Sequence, residues 1–127
     1  PLFKLVRNHL LIGGELTEQA VYDALEQGRL FVAHDIIADA RGFQFLALKE
    51  GQVRGVMGDR IRMEEGLQLY AYLPAPGRMT FFKDKQEAGH AEGQHGWFEV
   101  SGPGVYRAEG TRKGRPWIYS NPIYVLE

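Results

Sequence analysis

The chain contains no cysteine, and it has no excess of either charge. The first absence excludes disulfides, thiolate catalysis and cysteine-based zinc sites. Fifteen lysines and arginines against sixteen aspartates and glutamates give a formal net charge of −1. The basic residues form no stripe along the sequence, so the prediction is that the domain binds neither nucleic acid nor an anionic membrane.

Long apolar runs are also absent. No stretch approaches the roughly 20 apolar residues that cross a bilayer, and no signal peptide is visible. Together with the missing cysteines, this favours the cytoplasm and leaves export of a longer parent protein open. The chain begins with proline and ends with Leu126-Glu127, which resembles a cloning scar. These ends predict a piece excised from a longer protein.

The composition that is present indicates one β-rich globular domain. The 127 residues are enough to bury a core, and 44% hydrophobic with 24% charged residues is ordinary for a soluble protein. Sixteen glycines separate short runs of aromatic and β-branched residues. Such punctuation is typical of short strands joined by turns.

One helix is predicted, over 16–29. Thr17 can cap it by accepting a backbone N–H of the first turn. An apolar stripe at helical spacing follows, and Gly28 supplies a left-handed stop. The predicted domain boundary lies directly after it, with 1–28 as a terminal segment and helix of a preceding domain and 29–127 as the main β domain.

Beyond Gly28 the hydrophobic period changes to two, and about eight strands are predicted. Glu50-Gly51 is a candidate tight hairpin turn. The segment 74–77, "PAPG", predicts the end of one strand, and the polar segment 85–96 predicts a long exposed turn or a weak hairpin. This pattern predicts a mostly antiparallel, immunoglobulin-like β-sandwich with one helix in front of it. The predicted strands cover 29–34, 43–49, 52–58, 66–73, 78–84, 97–102, 104–113, 116–120 and 123–126.

Histidines are the candidate metal ligands. His90 and His95 lie five residues apart in a glycine-bearing segment with glutamates nearby. A metal site needs rigidly held ligands, and such a segment more commonly forms a solvated loop. Coordination by His90 and His95, supporting a residual hydrolase activity, is therefore the weaker alternative.

Other catalytic patterns are absent. The only serines, Ser101 and Ser120, lie outside any nucleophile motif and have no histidine close in sequence. No phosphate-binding loop or dinucleotide fingerprint is present. The sequence therefore predicts that this piece is not an enzyme, has no catalytic residue and needs no cofactor.

Aromatic residues are the other chemical resource. In short strands, tyrosine and tryptophan most commonly pack in the core or at its rim. The alternative is a face on which sugar rings or polymer units stack. The candidates for such a carbohydrate- or polymer-binding face are Tyr70, Tyr72, Trp97, Tyr119 and Tyr124.

The closing stretch 116–125, "PWIYSNPIYV", predicts a strand, a turn and a final strand. Asn121 and Pro122 suit the turn, since asparagine can bond its own backbone and proline fixes φ. Trp117 and Ile118 lie on opposite faces of the first strand, and the sequence leaves open which face is buried. Structural roles are predicted for Gly28, Tyr106, Trp117, Asn121 and Pro122.

The same stretch carries a family resemblance. "LTEQAVYDALEQGRLFVAHD" (16–35), "GFQF" (42–45), "PGVYRAEG" (103–110) and "PWIYSNPIYV" (116–125) resemble the C-terminal part of bacterial proteins of the PHP (polymerase and histidinol phosphatase) superfamily. These are metal-dependent phosphoesterases and related hydrolases. The resemblance implies that a catalytic barrel with a divalent metal cluster precedes a β-sandwich ending in an "SNPIYV"-like signature.

The family's metal ligands do not transfer to this chain. Its early H-x-H and late D-x-H motifs are absent, and no histidine here falls on a ligand position. The resemblance therefore implies a non-catalytic accessory domain that packs on its own N-terminal catalytic domain and shapes access to it. The parent's substrate, its metal and the oligomeric state are not given by the sequence.

Overall fold

A computed structural model of the protein describes residues 6–10, 19, 28, 30–35 and 37–127. These residues form a mainly antiparallel sheet curled into a half-barrel, which confirms the predicted β class. The ten strands are β1 (Val6–Leu10), β2 (Leu30–His34), β3 (Gln44–Lys49), β4 (Gln52–Val56), β5 (Arg60–Arg62), β6 (Gln68–Lys83), β7 (Gln86–Glu99), β8 (Gly104–Arg112), β9 (Arg115–Ser120) and β10 (Ile123–Leu126).

All the described strands belong to one hydrogen-bonded sheet. Its order is β1-β2-β9-β8-β6-β3-β4, with β7 paired to β6 and with β10 paired to β8 and β5. Only the β5–β10 pairing is parallel among the described strands. Because two separate packed sheets are not observed, the predicted sandwich is not confirmed. Of the predicted helix over 16–29, only Gln19 and Gly28 are described, so that prediction lies outside the described residues.

The pairing of β1 with β2 joins the two sides of the predicted domain boundary. Val6–Leu10 pairs antiparallel with Leu30–His34, and β2 in turn pairs with β9 near the other end of the chain. Residues on both sides of position 28 therefore hydrogen-bond within one sheet. The boundary itself stays a prediction.

The hairpin of β6 and β7 departs most from the sequence-based prediction. The segment 74–77 was predicted to end a strand, and that is wrong, since β6 continues through it. The register shifts between the pairs Tyr72–His95 and Gly77–Gly93, so that four β6 residues face one β7 residue. This bulge is larger than the usual single extra residue. It accommodates the two prolines, which cannot donate ladder hydrogen bonds, without ending the strand.

The prediction of a long exposed turn or a weak hairpin over 85–96 is also wrong, because β7 runs unbroken from Gln86 to Glu99. Apart from Phe98, its inward positions carry glycine and alanine instead of large apolar residues, and this hides the alternation. The cause is close packing across the bend, where a Cβ on Gly89 would lie 3.0 Å from the Phe98 ring. Phe98 in turn stacks on Phe81 at 5.5 Å between ring centroids. The hairpin thus folds back on itself around the core.

The core fills the inside of the curl. Trp117 and Ile118, adjacent on β9, are both fully buried, so the strand is covered on both faces. The Trp117 indole N–H donates to the carbonyl of Ala38 at 2.8 Å, in the loop between β2 and β3. The other large buried side chains are Phe31, Phe43, Phe45, Met57, Leu67, Leu69, Leu73, Met79, Phe81 and Tyr106.

The closing turn is held by hydrogen bonds to distant loops. The Asn121 side chain donates to the carbonyl of Gly28 at 2.9 Å, and Gly58 N–H donates to the carbonyl of Pro122 at 2.7 Å. Gly28 itself has a φ of 69°, in the left-handed region that favours glycine. These contacts fix the β9–β10 turn against the β2 and β4 ends of the sheet.

The phenol of Tyr106 fixes the start of β8. Its O–H donates to the carbonyl of Gly102, four residues earlier, at 2.7 Å, while the ring is fully buried. This is the arrangement of a tyrosine corner, which anchors a loop to a strand in many β proteins. We expect Tyr106→Phe to lower the free energy of unfolding by about 1 kcal/mol, since it removes one hydrogen bond and no packing volume. Urea denaturation would show an unchanged slope and a lower midpoint, and an unchanged midpoint would contradict the prediction.

Candidate ligand-binding face

Four ring-bearing side chains lie together on the outward side of the β6–β7 hairpin, before its bend. Tyr70 pairs with Trp97, and Tyr72 pairs with His95, in adjacent rows of the ladder. The grouping follows from the alternation of side chains along a strand. Leu69 and Ala71, on either side of Tyr70, point into the core, so Tyr70 and Tyr72 point outward. We call the set of Tyr70, Tyr72, His95 and Trp97 the outer aromatic face.

The four rings are in continuous contact. Ring centroids are 4.6 Å apart for Tyr70 and Trp97, and 5.3 Å apart for Tyr72 and His95. A diagonal stack joins the rows, with Tyr70 and His95 at 5.9 Å and an interplanar angle of 28°. These separations are those of favourable aromatic pairs. The face is therefore a preorganised surface rather than four independent side chains.

A hydrogen bond locks the diagonal pair. The Tyr70 hydroxyl and His95 Nδ1 are 2.7 Å apart. Burial, and secondly the neighbouring Tyr72, raise the pKa of Tyr70 above its usual value, so its phenol keeps its proton at neutral pH. One hydrogen bond thus joins the phenol and the imidazole across the diagonal. The other ring nitrogen of His95, Nε2, is a further polar group beside the rings.

Exposure separates this face from the core aromatics. The Trp97 side chain is 56% exposed, although a tryptophan is ordinarily among the most buried residues. Polar side chains border the rings. The Gln94 amide donates to the carbonyl of Leu73 at 3.2 Å, Gln44 lies opposite Tyr72, and Glu99 closes the next row. An exposed apolar surface with a polar rim has the composition of a recognition site.

No protein-family model, curated protein or solved structure matches this chain. The resemblance to the PHP superfamily therefore stays a prediction. No helix in the described part of the chain is long and apolar enough to cross a membrane.

The five aromatic candidates from the sequence do not share one surface. Tyr70, Tyr72 and Trp97 come together, whereas Tyr119 is half-buried between the strands that hold Val32 and Glu109. The Arg60 guanidinium lies over the ring of Tyr124, with Cζ 5.0 Å from the ring centroid. The structure thus divides the candidates into three on the outer aromatic face and two in other packing environments.

His95 joins the aromatic face instead of pairing with His90. His90 lies opposite Thr80, beyond the bend in the hairpin, while His95 is held by Tyr70 and Tyr72. Among the described residues, no group of three or more histidine or acidic side chains is placed to hold a metal ion. The role of His95 was missed from sequence because its partners are set by strand register, which the sequence does not give.

Proposed function

We propose that this domain is a non-catalytic recognition module whose outer aromatic face binds a carbohydrate chain. The observation that carries the proposal is the continuous set of four rings with Trp97 more than half exposed. Burying Trp97 against Tyr70 alone leaves most of its apolar surface in water. A ligand that covers it gains roughly 25 cal/mol for each square ångström removed from solvent.

Sugar rings fit the chemistry of this face. The flat side of a pyranose presents C–H groups, which pack on the electron-rich face of tyrosine and tryptophan rings. Its hydroxyl groups need donors and acceptors at the edge of the stack. The side chains of Gln44, Gln94 and Glu99 border the rings, and their amide N–H groups and oxygens supply both kinds of group. Apolar stacking with a few placed polar groups is the usual composition of a small-molecule site.

Charge disfavours single-stranded nucleic acid at this face. Nucleic-acid platforms combine stacking rings with cationic side chains that follow the phosphates. The outward ladder positions around the rings instead include the carboxylate of Glu99. Among the described residues, these positions carry no lysine or arginine: Gln44, Leu46, Gln68, Tyr70, Tyr72, His95, Trp97 and Glu99.

The two tryptophans provide the test. Each gives one indole N–H signal in a ¹H–¹⁵N spectrum, and neutral oligosaccharides of several linkages can be titrated while both are followed. We expect at least one linkage to shift the Trp97 signal saturably, with a dissociation constant on the order of 0.1–1 mM, and to leave Trp117 unmoved. A glycan array without signal, together with an unmoved Trp97 signal for every linkage, would contradict the proposal.

A second proposal concerns the parent protein. The "SNPIYV" stretch and the other quoted segments resemble the C-terminal domain of PHP-type hydrolases, so we propose that this domain is an accessory part of such an enzyme. In that setting the domain, with the predicted preceding helix and sandwich architecture, packs on a metal-bearing barrel and guides substrate to it. The resemblance alone supports this proposal.

The accessory-domain proposal has its own test. The 127-residue chain should show no phosphatase activity and no stoichiometric binding of zinc or manganese in dialysis followed by elemental analysis. A longer parent chain containing the upstream region should show both. Tight stoichiometric metal binding by the 127 residues alone would contradict the proposal, whatever the outcome of the sugar titrations.

A further inference from the structure

The β8–β9 hairpin gathers positive charge at its tip. Arg112 pairs with Arg115, leaving Lys113 and Gly114 as a two-residue turn. Their φ values of 51° and 76° are those of a type I′ turn, in which both central residues are left-handed. The turn therefore places three cationic side chains within four residues, in a chain whose formal net charge is −1.

These side chains line an open depression. Its volume is about 420 Å³, and the described residues around it are Ile37, Arg112, Lys113 and Arg115. We call it the basic depression. No acidic side chain is among these described lining residues. A site lined by three cations and one apolar side chain has a strongly positive local potential.

One cation is fixed in place and two remain available. The Arg112 side chain donates from Nε to the carbonyl of Pro76 at 2.9 Å, and its guanidinium lies 5.9 Å from the Trp117 ring centroid. Within the described part of the chain, Lys113 and Arg115 have no carboxylate at ion-pair distance. No carboxylate in that part of the chain therefore neutralises their charges.

We propose that the basic depression binds an oxyanion, namely a phosphate, sulfate or carboxylate group. Guanidinium and ammonium donors form charge-assisted hydrogen bonds with such groups, and arginine matches their geometry in particular. Ile37 provides an apolar wall that suits the carbon skeleton of a larger anionic molecule. The oxyanion comes either free or as a substituent of such a molecule.

The positive region is small, which favours a single anionic group over a long polyanion. The neighbouring depression beside Lys113 and Gly114 contains Arg78 and Glu92, whose side chains pair at 3.7 Å. The excess of cations therefore ends on that side. The site is also separate from the outer aromatic face, since the bend at 74–77 lies between them, and it does not depend on the proposed carbohydrate function.

Lys113→Asn and Arg115→Gln provide the test. Asparagine is favoured at the first position of a type I′ turn, so Lys113→Asn removes the charge while keeping the hairpin. The matched control is Lys85→Asn, because Lys85 lies in the β6–β7 turn with a φ of 72° and loses the same charge there. Thermal melting of all three variants establishes that they are folded.

Inorganic phosphate is titrated while backbone ¹H–¹⁵N signals are followed. We expect saturable shifts at 112–115 and at Ile37, with a dissociation constant on the order of 1–10 mM at low salt. Lys113→Asn and Arg115→Gln should each weaken phosphate binding by roughly fivefold or more, and the double variant should abolish it. Lys85→Asn should leave it unchanged.

A sulfated and a neutral oligosaccharide of equal length identify the source of the anion. Affinities are read from the signals of 112–115, which the neutral sugar should leave unmoved. Binding of the sulfated sugar there at least tenfold tighter than phosphate would assign the site to a substituent of a larger molecule, and equal affinity there would assign it to a free oxyanion. Absence of saturable shifts at 112–115 with phosphate and with the sulfated sugar would overturn the inference. A loss of phosphate affinity in Lys85→Asn equal to that in Lys113→Asn would also overturn the inference, because the effect would then be one of net charge.

Discussion

Trp117→Ala should lower the free energy of unfolding by about 3–5 kcal/mol, the range measured when a buried large aromatic is truncated. Trp117 is fully buried, and its indole N–H bonds the carbonyl of Ala38. Truncation therefore removes packing on β9 and leaves that carbonyl without its donor. It also frees the loop between β2 and β3, which the indole anchors to the sheet.

The chain supplies a matched control in its other tryptophan. Trp97→Ala removes the same side chain from an exposed position and should cost about 1 kcal/mol or less, mainly the cross-strand contact with Tyr70. Melting temperatures should differ accordingly, with a decrease on the order of 10–20 °C for Trp117→Ala. Equal melting temperatures for the two variants would show that Trp117 does not support the core.

The same exposed residue gives the largest expected effect on binding. If sugars stack on the outer aromatic face, Trp97→Ala should weaken the best oligosaccharide by about 5- to 150-fold, because one stacked ring contributes roughly 1–3 kcal/mol. Isothermal titration of folded protein measures this directly. Trp97→Phe keeps an aromatic ring at the same ladder position and should recover most of the affinity.

A second control tests whether the loss is local to the face. Val105 is another exposed apolar residue, and it lies on β8 opposite Tyr124, away from the β6–β7 pairs. Val105→Ala should leave affinity unchanged. Full affinity in Trp97→Ala, with the protein shown to be folded, would mean that the ligand binds elsewhere.

The sequence predicts those strands in which apolar inward residues alternate with more polar outward residues. β2, β3, β8, β9 and β10 lie within one or two residues of their predicted bounds. The Glu50-Gly51 turn is confirmed, with φ values of 51° and 78° and the two-residue loop of a type I′ hairpin. In each case local composition and the final burial agree.

The failures have a common physical cause, which is that distant contacts overrode local signals. β5, only Arg60–Arg62, exists because it pairs in parallel with β10, where Arg60 lies opposite Tyr124, sixty-four residues further along. Its Arg-Ile-Arg alternation is too short to mark a strand in the sequence. β7 resembled a loop because Gly89 and Gly96 leave room for Phe98 and Met79 across the fold.

The candidate site was likewise predicted only in part, because local sequence identified some of its residues and strand register decided the rest. The sequence identified Tyr70, Tyr72 and Trp97 as aromatic residues available for a ligand, together with two tyrosines that lie elsewhere. Selecting the three required the register of β6 against β7. That register also converted His95 from a candidate metal ligand into a member of the aromatic surface, and no local property of residue 95 indicates it.

The position of β9 in the sheet has a consequence for synthesis on the ribosome. β1 and β2 are made first, yet in the described sheet they reach the other strands only through β9. The edge of β2 at residues 31–33 therefore pairs with β9 only after residues 118–120 have left the exit tunnel. Some eighty further residues are translated in that interval, which takes several seconds at about 5–20 residues per second. Until then β2 presents an open strand edge to the other strands of the nascent chain, and an open edge is a site of wrong strand pairing.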